Sequence, residues 1–169
     1  MHKGLKEPHL FNAASNPFKI IRNLAGILLA TELDKIRAEV DANVVGLFRL
    51  GQVHFAFARS VPAAEWRQRV SRLYYGAYNV RRAVALKYDG TFSTDSSDHQ
   101  NVDRLPDAVN NAATYRVKLK NLREDRNLAD YNHLAQEADL LMSPSDYETM
   151  VTGFIQDATQ YLTSEGVTL

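Results

Sequence analysis

The stretch REDRNLADYNH, residues 123 to 133, places two arginines, three acids, a tyrosine and a histidine within eleven positions. Two of these side-chain types suit the handling of a phosphate ester. Arginine presents a planar fork of N–H donors that can hold two phosphate oxygens, and it keeps its charge. Histidine, with an ordinary pKa of about 6.5, gives or takes a proton near neutrality. On a helix advancing about 100° per residue, Arg126, Asp130 and His133 fall within about 60° of one another. The same face runs back through Leu122, Leu119 and Tyr115, which are core-type residues. The polar cluster is therefore expected to interrupt a packing seam, where an arginine and a histidine partly out of water need partners. Asp130, one turn from Arg126, is placed to hold it. A helix-surface ion pair beside an unrelated histidine fits the same spacing.

The elements that position these residues read as helices, because the helical period dominates and strand alternation never appears. Thr31 with Asp34 resembles a helix-starting box, and Leu33, Ile36, Val40, Val44, Leu47 and Val53 recur at three- and four-residue steps over residues 32 to 58. Val61 and Pro62 break that helix. A second follows on Trp66, Val70, Leu73, Ala77, Val80 and Val84 and ends near Asp89 and Gly90. The polar run of residues 89 to 101 is a loop, and VDRLPDAV makes a short helical piece around Pro106. Residues 112 to 141 form the helix carrying the polar cluster. Ser143, Pro144 and Ser145 then announce a last helix, with Glu148 in its first turn, running to about Ser164. The expectation is an all-α, up-and-down bundle of four to five main helices in one domain over residues 1 to 169. Residues 1 to 30 add an N-terminal extension or extra helix.

Bulk composition limits the function classes. A chain of 169 residues with 45% hydrophobic content suffices for one sizeable core. Twenty basic and twenty acidic residues leave no global field to draw it onto nucleic acid or an anionic membrane, so such binding needs a local patch. The absence of cysteine excludes disulfides, thiolate metal sites and cysteine nucleophiles, and fits a reducing, cytoplasmic setting. FKIIRNLAGILLA, residues 18 to 30, is about half the length of a bilayer span and carries Lys19 and Arg22. It reads as a helix packing on the domain, with a cleaved leader as the alternative.

Charge is polarised along the chain. Residues 59 to 88 hold seven Lys or Arg against the single acid Glu65, whereas residues 134 to 169 hold six acids and no Lys or Arg. Tyr74, Tyr78 and Arg81 line one stripe of the basic helix, a combination suited to base stacking and phosphate contact in an RNA-facing cleft, or to packing in the core. His54 stands in an apolar helix without a partner one turn away and reads as a packed histidine. His99, beside Asp95 and Asp98, matches no recognised metal spacing, and no metal or other cofactor is expected. No serine sits in a nucleophile elbow and no carboxylate pair has a partner to fix it.

The segments SRLYYGAYNVRRAVALKYDG, DHQNVDRLP and LREDRNLADYNH resemble the HEPN superfamily of small helical-bundle proteins, many of them ribonuclease toxins. The superfamily's signature is an arginine, a polar residue and a histidine after four to six residues. Here Arg126, Asn127 and His133 match it, with six residues between Arg126 and His133. The similarity spans residues 66 to 135, with a compatible long helix before it. It implies an RNA substrate, a toxin or defence role and a homodimer in which two copies of the Arg126–His133 face meet. Leu122 and Leu134 would then be partly covered by the second copy. Some members carry a tyrosine two residues after the histidine, where a partner nucleotidyltransferase adds nucleotides to silence them. This chain has Ala135 there, with Tyr131 nearby.

RNA carries its own nucleophile, the 2'-hydroxyl. A protein need only remove its proton, protonate the leaving oxygen and stabilise the charge on phosphorus. His133 suits the proton work and Arg126 the phosphate. Asn127 suits orientation of the phosphate or ribose, Asp130 the holding of Arg126, and Arg123 further RNA contact. The reading is a metal-independent endoribonuclease leaving 2',3'-cyclic phosphate ends. The alternative is a silent HEPN module that binds a nucleotidyltransferase or another protein through the same face.

Overall fold

Five α-helices run through residues 16–25 and 28–169, the residues described in this computed structural model. They are α1 (Pro17–Leu24), α2 (Ala30–Ser60), α3 (Trp66–Asp89), α4 (Ala112–Tyr131) and α5 (Pro144–Ser164). Short 3-10 turns at Ser96–Asn101 and Glu137–Asp139 punctuate the connections, and no strand occurs among the described residues. The all-α bundle expected from the helical period is the fold that forms. No helix among the described residues is long and apolar enough to cross a membrane.

Within the segment expected to form one N-terminal helix over 18 to 30, α1 stops at Leu24, and residues 26 and 27 lie outside the description, as do 1–15. Asn16 caps α1, its Oδ1 accepting from the Phe18 and Lys19 amides at 2.9 and 3.1 Å. Ile21 packs with Leu33 and Ile36 in a small cluster on α2. α2 starts earlier than the Thr31–Asp34 box suggests, because Glu32 Oε2 accepts the Leu29 amide at 3.0 Å and closes the first turn there. Its buried seam runs Leu33, Ile36, Val40, Val44, Phe48, Gly51 and Ala58. Val53, expected in that seam, is 64% exposed. Nine residues beyond Val44 is about two and a half helical turns, which puts it on the opposite face.

α3 is the central helix, packed by α2, α4 and α5. It crosses α2 where two glycines meet. A Cβ on Gly51 would lie 2.7 Å from Val80 Cγ2 and 2.8 Å from the Gly76 carbonyl oxygen, so a larger residue there would force the helices apart. α3 ends as expected, with Gly90 in the left-handed region at φ 73° and its amide donating to the Leu86 carbonyl at 3.1 Å.

Two connections differ from expectation. The polar run of residues 89 to 101 is a loop only in its first half. Its second half coils into the Ser96–Asn101 turn and drives Asp98 into the core. Residues around Pro106 form turns instead of a helical piece, burying Leu105, Pro106 and Val109.

The helix expected over residues 112 to 141 stops at Tyr131. Its end is imposed by other elements. Arg67 on α3 donates to the carbonyls of Ala129 at 2.7 Å and Ala135 at 2.5 Å, folding the chain back after α4. Buried Asp125 accepts the Leu141 and Met142 amides and the Tyr147 hydroxyl, at 2.8, 3.3 and 2.7 Å, tying the following segment to α5. α5 begins as expected: Ser143 caps it by accepting the Asp146 amide at 3.1 Å, and Pro144 opens it.

Candidate functional site

α4 delivers Arg126 to the seam that its sequence predicts. Tyr115, Leu119, Leu122 and Arg126 are all buried along one face, and Arg126 is 8% exposed. A guanidinium so placed needs partners, and it finds them for part of its donor set. Nη1 donates to Asn127 Oδ1 at 2.9 Å, and Nη2 donates to the Tyr75 hydroxyl. Nε lies 3.1 Å from Asp130 Oδ2 but its N–H is not aimed there, so that pair is Coulombic and Nε makes no hydrogen bond. The guanidinium carbon sits 5.1 Å from the ring centroids of both Tyr74 and Tyr75, and 5.8 Å from that of Tyr131. Burial opposes its charge, but the Tyr75 hydrogen bond and the Asp130 carboxylate outweigh this and raise its pKa above the ordinary value. One N–H on each terminal nitrogen has no partner among the described residues, the number that a two-point contact with an anion needs.

His133 is not on that helix. It lies beyond the end of α4, exposed, on a turn held by the Ala135 amide donating to the Asn132 carbonyl at 3.2 Å and the Leu134 amide donating to Asn132 Oδ1 at 3.0 Å. The shared helix face expected for Arg126, Asp130 and His133 therefore holds for the first two only. Tyr131 and Leu134, each 76% exposed, flank His133, with Leu141 also exposed nearby in the chain. Leu122, expected to flank the cluster on an intermolecular face, is wholly buried in the chain's own core.

The stripe of Tyr74, Tyr78 and Arg81 turns inward. Arg81 is 2% exposed, its Nη1 3.4 Å from Asp98 Oδ2 and its Nε donating to the Arg104 carbonyl at 3.2 Å. It holds the 3-10 turn to α3 and offers no open surface to RNA. Tyr78 donates to Asp98 Oδ2 at 2.9 Å, and burial together with that carboxylate pushes its pKa up to about 12. Tyr74 is fully buried, and burial likewise raises its pKa. Arg123 is half-buried at the edge, its Nε donating to Glu124 Oε1 at 3.1 Å and its Nη1 3.4 Å from the Gln100 carbonyl.

What these contacts assemble is a cluster with His99 at its centre. His99 Nδ1 is 2.6 Å from the Tyr74 hydroxyl, and its ring stacks on Tyr78 at 4.3 Å between centroids. Two clefts share His99 as a lining residue: one is also lined by Arg123 and Asn127, the other by Tyr75, Asn79 and Arg82. Burial first, then Arg126, lowers its pKa from 6.5. The sequence signal for His99 is slight, because nothing in a polar loop reveals that its 3-10 turn closes on Tyr74. His54 is half-buried, 3.4 Å from Arg72 Nη1, with its pKa lowered by burial and then by Arg72. Among the described residues, no group of three or more His, Asp or Glu is gathered closely enough to hold a metal ion. No protein-family model, curated protein or solved structure matches this chain.

Proposed function

We propose that this chain is a HEPN-type endoribonuclease that cleaves RNA without a metal, by attack of the 2'-hydroxyl on the adjacent phosphodiester to give 2',3'-cyclic phosphate ends. The observation that carries the reading is Arg126, a nearly buried guanidinium among tyrosine rings with one unpaired N–H on each terminal nitrogen, followed by a histidine on the next turn. In this reading Arg126 holds the scissile phosphate, His133 moves protons, and Asn127 and Asp130 fix the guanidinium. Arg123 and Arg82 line the flanking clefts beside Glu124 and Asp95 and would supply contacts to RNA phosphates. The exposed Tyr131, Leu134 and Leu141 suit a second copy of this chain, so that two Arg126–His133 faces share one cleft. The biological setting proposed is a toxin or defence role in the cytoplasm.

The same exposed apolar side chains favour a second reading, a silent module that docks a nucleotidyltransferase or other protein over this face. Incubating the purified protein with structured and single-stranded RNAs separates the two. The nuclease reading predicts cleavage that Arg126→Ala abolishes. Intact RNA across both classes contradicts it and leaves the docking role.

A further inference from the structure

We propose that His99 is a second catalytic residue of the Arg126 site, the base that takes the 2'-hydroxyl proton; this rests on the ribonuclease reading above. Transesterification needs a base and an acid at once. His133 alone supplies one histidine per chain, and the 3-10 turn Ser96–Asn101, packed on α3, supplies another.

The geometry singles out His99 in three ways. Its imidazole and the Arg126 guanidinium share a platform: Tyr74 binds His99 through its hydroxyl and lies under Arg126, and Tyr75 hydrogen-bonds Arg126 and meets His99 edge-on at 6.1 Å between centroids. Among the described residues its Nε2 makes no hydrogen bond and is not sealed from solvent, and His99 lines both clefts. Its orientation is fixed by stacking on Tyr78, which Asp98 holds in turn.

The hydrogen bond to Tyr74 is open to both tautomers, and the base role requires the one in which Nδ1 carries the proton. With Nδ1–H donating to the Tyr74 oxygen, Nε2 carries the lone pair, and a phenol whose burial keeps it protonated remains a neutral partner when the ring becomes imidazolium. The step then balances. The proton passes from O2' to Nε2, the O2'–P bond forms, and the P–O5' bond breaks with its electron pair on O5', which takes a proton from His133 or solvent. The groups facing His99 set its charge: Tyr74, Tyr75, Tyr78 and Arg82 from α3, Asp98 from its own turn, Arg123 and Arg126 from α4. Burial and the three arginines favour the neutral ring, and only Asp98 favours its protonation. Neutral imidazole is the base-competent form, so its activity is present at neutral pH and is lost as pH falls through a midpoint below 6.5.

The test compares His99→Gln with wild type on RNA and follows the histidine ring resonances by NMR while titrating uridine 3'-phosphate. We expect kcat to fall by about 100-fold or more, with KM changed far less and the ascending limb of the kcat–pH profile removed. In the wild-type chain, the nucleotide should shift the His99 ring resonances and raise its titration midpoint, a readout that holds even if the variant folds poorly. Unchanged kcat in a folded His99→Gln chain, or a nucleotide response at Arg126 and His133 with none at His99, overturns this assignment and leaves the ribonuclease reading standing. A wild-type chain that cleaves no RNA overturns both.

Discussion

Arg126 on α4 and Tyr75 on α3 are joined by a hydrogen bond from Nη2 to the phenol oxygen, which locks the orientation of the guanidinium fork. Lysine at this position would keep the charge and lose the fork. Arg126→Lys is therefore expected to reduce RNA cleavage nearly as far as Arg126→Ala, measured as kcat/KM on one oligoribonucleotide. Near-normal activity in the lysine chain would rule out two-point phosphate recognition.

His133 is exposed and makes no hydrogen bond or ion pair among the described residues, so its side chain contributes little to folding. His133→Ala should unfold within about 0.5 kcal/mol of wild type, as surface substitutions usually do. Its cleavage rate should drop by about 100-fold, the scale of a lost general acid or base. A folded variant that cleaves at the wild-type rate removes His133 from the mechanism.

Asp98 is the counter-charge of the buried Arg81 and also takes the Tyr78 hydrogen bond. Removing one member of a buried pair leaves the other uncompensated, at a cost of about 3–5 kcal/mol. Urea denaturation of Asp98→Ala should show a loss on that scale, together with freeing of the His99 ring from Tyr78. A loss below about 1 kcal/mol would mean that Arg81 is satisfied by the Arg104 carbonyl and water instead.

The helical class and several helix ends were legible because their signals are local. Gly90 stops α3 and Ser143 with Pro144 starts α5 through contacts with their own neighbours. The end of α4 was not legible, because no glycine or proline marks Tyr131. The stop comes from Arg67 on another helix, which binds carbonyls on both sides of the turn. The seam through Leu119, Leu122 and Arg126 followed from the period, whereas the inward turn of Arg81 depended on Asp98, a loop residue with no periodic signature. His99 carries little sequence signal for the same reason: its partners come from α3, far away in sequence.

The exposed apolar residues around His133 bear on assembly. If two copies share one cleft, mixing wild-type chains with excess Arg126→Ala/His133→Ala double mutant, under conditions that let subunits exchange, should collapse activity per wild-type chain. Constant activity, with exchange verified independently, would show that each chain works alone.

The chemistry itself is read most directly from the ends of the cleaved RNA. Wild-type protein is incubated with a defined oligoribonucleotide in excess EDTA, and the products are resolved by mass spectrometry beside a substrate whose scissile ribose lacks its 2'-hydroxyl. Attack by the substrate's own oxygen predicts 2',3'-cyclic phosphate ends in EDTA and no cut at the deoxy position. A 5'-phosphate product that disappears with EDTA would point to a metal-activated water and contradict the account.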